Sequence, residues 1–419
     1  MTELATQVKV LTFVRNSTVI NQIATALRQE PKYTLLENIE NVEGLVQTID
    51  REKPNIFVMD IVGEEDEGLA LIDELTVLFP EVAILPVLSE DQNNLVQAVM
   101  LAGARGFILQ PFTQVELVKT FNRVIEILFR FFESTRTEQP TGEAVGEKRQ
   151  HGTVVVFSPR GGVGCTTVAS NLALAVWQRS NRETLLMDGK QFFGHLDVFF
   201  NVRAQNSIAD LIPHISELDP ILIRDVVIEH ASGLKLLLGP NSMQVAQGVR
   251  PDDLYTMALS IQKMYPFFII DGGHTISENV VTLLDLAYEI ILVINPDLAS
   301  LKDTREFFEV CKTLAYSKEK VQVVLNRANM PGAIRVSEIE SALGAKLFAK
   351  IPNQEAEVLR SINRGVPLLY DNPKSKVSKA INNLGGSLLD HLRTQMSSEF
   401  ISPLDSKTQD ALAKSSRLG

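Results

Sequence analysis

The stretch TVVVFSPRGGVGCTTVASNLALAVWQ, beginning at Thr153, leaves few folds open to this chain. TVVVF is short, β-branched and apolar, which reads as a buried strand. TTVASNLALAVWQ begins a helix. Between them, Gly161, Gly162 and Gly164 let the backbone curl so that its N–H groups point inward. Those groups and the positive end of the following helix make an anion nest, the arrangement that cradles phosphates. Thr166 stands where a hydroxyl meets Mg²⁺, and Thr167 is placed to reach an inner phosphate. Both lysines that such a loop normally carries are replaced, by Arg160 and Cys165.

The rest of the chain repeats the strand–helix alternation. VKVLTFV, NIFVMDIV, AILPVLS and GFILQPF read as strands. TVINQIATALRQ, GLALIDELTVLF, NLVQAVMLAGA and TQVELVKTFNRVIEILF carry apolar residues at helical spacing between and after them. After Thr153, the strand candidates are TVVVF, TLLMD, KLLLG, PFFIID, EIILVIN, VQVVLN and KLFAKIP. Alternation of this kind predicts parallel pairing, hence an α/β chain of two doubly wound parallel-sheet domains. STRTEQPTGEAVGEKRQHG is polar, with Gly and Pro and no apolar period, and reads as a linker. The predicted boundaries are a first domain over 1–133, a linker over 134–152, a second domain over 153–393 and a disordered tail over 394–419.

Composition narrows the function. The formal net charge of -11 disfavours DNA as a partner, because no overall field draws in a polyanion. Two cysteines far apart, Cys165 and Cys311, argue against a disulfide framework and for a reducing cytoplasm. No signal pattern or membrane-length apolar run is read.

The loop resembles the deviant Walker A motif of the MinD/ParA superfamily, KGGxGK[ST]. In that family the first lysine crosses a dimer interface to the partner's nucleotide; Arg160 keeps its charge and reach. The second lysine neutralises the β- and γ-phosphates; Cys165 cannot, and reads as a small uncharged filler. The resemblance extends to an acid ending the next strand, Asp188, with Lys190 where a second acid belongs. Such acids position Mg²⁺ and the attacking water, so Asp188 and Asp271 are the catalytic candidates. Lys190 reads either as an exposed loop residue or as a substitute charge for the phosphates. FFIIDGG puts Asp271 at a strand end, the Walker B position that holds Mg²⁺ through water. The expected nucleotide-binding set is Arg160 to Thr167, including Val163, with Asn326 and Pro352 around the adenine. Asn353 falls beside Pro352. Thr166 and Asp271 are the metal candidates.

The N-terminal region resembles a response-regulator receiver. Asp60 matches the phosphoacceptor and Ser89 the hydroxyl. Arg15 and Asn16 stand where the acidic pair belongs, and Gln110 replaces the lysine before Pro-Phe. Phosphorylation is therefore not expected, and a docking or dimerisation module is. A receiver-like unit joined to a MinD-like domain, together with the pieces IPN and SINRGVPL, is similar to the TadZ/CpaE family of Tad (type IVb) pilus assembly. That resemblance implies a cytoplasmic, pole-localising scaffold that dimerises on ATP with Mg²⁺ and hydrolyses it weakly or not at all. Its implied partners are a second copy, the Tad pilus and secretion machinery or polar proteins, with the membrane reached through them. The rival expectation is an active ATPase cycling between monomer and dimer.

Overall fold

The computed structural model describes residues 7–61, 65–136, 151–190, 192–203, 206–314 and 316–395. The predicted tail beyond 395 and most of the linker, 137–150, lie outside the described residues. The chain divides into two units, one built on the first five strands and one on the last eight.

In the first unit the strands are β1 (Val8–Phe13), β2 (Tyr33–Leu35), β3 (Ile56–Asp60), β4 (Ala83–Leu88) and β5 (Ile108–Leu109). They form one sheet in the order β2-β1-β3-β4-β5, parallel throughout. Both faces are covered, so alternate residues of one strand serve two cores. Val10 and Val58 pack with Ile23 and Phe121 on one face, while Leu11, Phe57 and Met59 pack with Ile72 and Leu75 on the other. This is why the strands read as continuous apolar runs instead of alternating ones. β2 and the helix Leu45–Glu52 escaped the sequence reading. β2 has only three residues, and burial on one side of a short helix leaves little periodicity to detect. The last helix, Gln114–Arg136, runs beyond the expected boundary at 133.

The second unit contains β6 (Gly152–Phe157), β7 (Thr184–Asp188), β8 (Ile228–Glu229), β9 (Lys235–Leu237), β10 (Phe267–Gly273), β11 (Glu289–Ile294), β12 (Val321–Leu325) and β13 (Ala349–Lys350). Their order is β13-β12-β11-β6-β10-β7-β9-β8, parallel except for the two-residue edge strand β8. β6 lies in the middle, wholly buried, between β11 and β10. The helix Cys165–Ser180 covers it and is buried almost all round. The helix Lys376–Gln395 packs there too, presenting Val377, Ile381, Leu384 and Leu388 at three- and four-residue spacing. The segment carrying SINRGVPL is tied to the helix Cys165–Ser180, since Asn171 Oδ1 accepts the N–H of Leu369 at 2.8 Å.

The candidate nucleotide site

The topology assembles the site before any side chain is considered. β6, β7 and β10 run parallel, so their C-terminal ends open onto one edge, where α/β sheets bind ligands. Asp271 of β10 is directly opposite Asp188 of β7 and, on its other side, Val156 of β6. The two acids that the sequence places at strand ends thus stand side by side beneath the glycine loop.

The loop itself is braced from below. Gly162 and Gly164 adopt positive φ, 76° and 96°. At Gly164 a side chain is excluded twice, by this backbone and by space: a Cβ would lie 2.6 Å from Asn326 Nδ2. Asn326 donates that amide to the Val163 carbonyl at 2.7 Å, while its Oδ1 accepts from the Arg327 N–H. Asn326 therefore holds the loop's shape, a role the sequence reading did not foresee. A strand-end Asn gave no signal for it. Pro352 and Asn353 lie in the segment after β13, where the Asn353 N–H donates to Asn329 Oδ1 at 2.6 Å.

Cys165 turns inward. Its thiol donates to the Val156 carbonyl at 3.2 Å, and burial, reinforced by the charge of Asp271, pushes its pKa well above the ordinary value. It is a neutral thiol packed under the loop, in keeping with a filler. Arg160 points the other way. Its side chain is 44% exposed and its guanidinium lies 3.2 Å from Asp303.

The centre of the site is an ionic cluster. Lys190 is not an exposed loop residue; its side chain is 13% accessible, and Nζ lies 3.0 Å from Asp271 Oδ2. Nζ also donates to Thr166 Oγ1 at 3.1 Å, and that hydroxyl donates to Asp271 Oδ2 at 2.7 Å. Asp188 Oδ1 is farther away, 3.9 Å from Nζ. Burial works against charging Lys190, but Asp271 and Asp188 outweigh it and raise its pKa. For Asp188 burial dominates and raises the pKa, with Lys190 pulling it back. Asp188 also shapes the chain after β7: its Oδ2 accepts the N–H of His195 at 2.9 Å and of Leu196 at 3.4 Å. Thr166 and Asp271, the pair expected to hold Mg²⁺, are thus brought together with one ammonium group contacting both. Nothing in DGK alone revealed this. The cue was a lysine at a position where the superfamily pattern asks for an acid.

The first unit is different. Asp60 ends β3 and is half-buried. Burial raises its pKa, opposed by the Arg15 backbone N–H, which donates to Oδ2 at 2.6 Å. Asn16 is spent as a helix cap, accepting the Thr18 N–H. Ser89 bonds Gln92 at 3.0 Å, and Gln110 precedes Pro111 through a cis peptide. Among the described residues no group of three or more His, Cys, Asp or Glu is arranged to hold a metal ion. Nor is any helix long and apolar enough to cross a membrane.

Comparison with known proteins agrees with this division. The family profile "Response regulator receiver domain" matches residues 15–122. The chain is 25% identical over 241 residues to the septum site-determining protein MinD of Thermotoga maritima, covering 55% of this chain and 85% of that protein. Among solved structures, a ParA family ATPase from Chlorobium tepidum aligns with a TM-score of 0.52 and 26% identity, over 56% of this chain and 97% of that one. MinD of Pyrococcus horikoshii, solved with Mg-ADP, aligns at 0.50 with 22% identity, over 56% and 94%. The chain therefore joins a response-regulator receiver domain to a P-loop domain of the MinD/ParA-like NTPase fold.

Proposed function

We propose that this chain is a positioning scaffold whose P-loop domain binds a nucleotide and turns it over slowly or not at all. One observation carries the proposal: Asp271 and Thr166, which a hydrolysing site needs for its metal, are engaged by Lys190 at 3.0 and 3.1 Å. The inward thiol of Cys165 leaves no cation at the position that faces the β- and γ-phosphates in relatives. Phosphoryl transfer depends on positive charge placed where negative charge develops, so both changes weigh more on turnover than on binding. Binding rests on the loop, whose two positive-φ glycines give the nest its shape. The relative solved with Mg-ADP supports a nucleotide as the ligand.

In this reading nucleotide stabilises a dimer through Arg160, which is half-exposed and whose guanidinium forms a part-exposed pair with Asp303. The receiver-fold unit recruits partners without being phosphorylated. The pairing of the two domains, together with IPN and SINRGVPL, supports a TadZ/CpaE-type role, placing Tad pilus machinery at the inner face of the membrane or the pole. Phosphate release with saturating ATP and Mg²⁺ tests the proposal. Release no faster than in the Asp271→Ala variant is expected; turnover that depends on Asp271 would establish a working ATPase instead.

A further inference from the structure

Lys190 does more than block a metal. Three features mark it as a built part of the site. Its ammonium contacts the two groups expected to hold a divalent ion, Thr166 Oγ1 and Asp271 Oδ2. Its stem has a prepared path: Gly273 adopts φ 67°, and a Cβ there would come within 2.7 Å of Lys190 Cγ. Finally, an ammonium carries three donors. Asp271 and Thr166 take two, and Asp188 at 3.9 Å is too distant to take the third. Among the described residues, one N–H is therefore left without a partner at hydrogen-bond distance.

We propose that Lys190 is a built-in substitute for the divalent cation, so that this P-loop domain takes nucleoside di- or triphosphates in their metal-free form. This rests on the nucleotide-binding reading above and sharpens it. A divalent ion does not fit beside Lys190: the oxygens it needs are occupied, and the ammonium repels it. The lysine missing from position 165 has in effect moved to position 190, reaching the phosphates from the β7 side instead of from the loop. A point charge on a flexible stem suits that task.

Calorimetric titration with ADP, in chelator and in excess Mg²⁺, separates the possibilities. Wild-type protein is expected to bind ADP in chelator at least as tightly as in Mg²⁺, because magnesium ties up the free diphosphate. Lys190→Gln is expected to lose about 10- to 100-fold in chelator, the worth of one charge-assisted contact, and to regain affinity when Mg²⁺ is added. Lys190→Arg keeps the charge and is expected to fall between them, which guards against a variant that merely folds poorly. Binding by wild type only in Mg²⁺ would overturn the inference while leaving the nucleotide reading intact. Undiminished binding by Lys190→Gln in chelator would overturn it equally. No binding in either buffer would remove both.

Discussion

The two units have each kept a framework and changed its chemistry, but in opposite ways. In the receiver-fold unit the phosphoacceptor-like Asp60 stands at the expected strand end, but the acidic pair is replaced by Arg15 and Asn16 and the lysine by Gln110. A backbone N–H contacts it at 2.6 Å, Asn16 caps a helix, and Gln110 stands where a lysine would. In the P-loop unit a charge is lost at Cys165 and another appears at Lys190, inside the same pocket. Loss of both the acidic pair and the lysine fits a site released from phosphoryl chemistry. A charge missing at one position and present at another fits the proposal of a site organised around an anion.

That contrast predicts unequal costs. Removing Asp271, by Asp271→Ala, strands the largely buried Lys190 and should destabilise the P-loop unit by about 3–5 kcal/mol; urea unfolding reads this directly. Asp60→Ala removes one backbone hydrogen bond from a half-buried acid and should cost about 1 kcal/mol. Equal costs would break the comparison. Gly164→Ala comes next. Its positive φ and the 2.6 Å approach to Asn326 predict a loss of about 1–3 kcal/mol, accompanied by weakened ADP binding in the same titration.

A third test sets one buried acid of the P-loop unit against another. Asp271 has its lysine. Glu289, at the start of β11, is wholly buried, with His391 Nε2 2.9 Å from its Oε1. Burial pushes its pKa from 4.5 up to about 8, against the pull of Gln322 and Lys320. Below 4.5 the group is neutral in both folded and unfolded chains and costs nothing. Between 4.5 and about 8 the unfolded chain ionises first, so stability falls as pH rises. Glu289→Gln should flatten that fall, measured as the unfolding midpoint at both ends of the window; an unchanged slope would refute the assignment. The smallest effect belongs to Arg160→Ala. Its pair with Asp303 is exposed enough that stability should change by less than about 1 kcal/mol, while nucleotide-dependent dimerisation, followed by light scattering, should be lost.

The fold was legible because buried parallel strands advertise themselves. VKVLTF, IFVMD, GTVVVF and FFIIDGG are runs that few other structures accommodate. The short strands β2 and β8 were not, whereas the equally short β5 and β13 were, because GFILQPF and KLFAKIP carry apolar residues beyond the paired ones. At the site, the sequence shows the glycine loop through Gly161, Gly162 and Gly164, whose positions after a strand demand a tight backbone turn, and the roles expected of Asp188 and Asp271 come from the family resemblance. The contacts of Lys190 and Asn326 were not legible. The contact of Lys190 with Asp271 spans 81 residues and that of Asn326 with Val163 spans 163, and contacts so distant leave no local trace.

The most direct measurement of the central claim is the electron paramagnetic resonance spectrum of Mn²⁺ added to the protein saturated with ADP. The account predicts ADP bound at the P-loop with the manganese remaining in solution. One tightly bound Mn²⁺ for each bound ADP would mean that Lys190 yields its place to a metal, and that the charge in this pocket was not relocated at all.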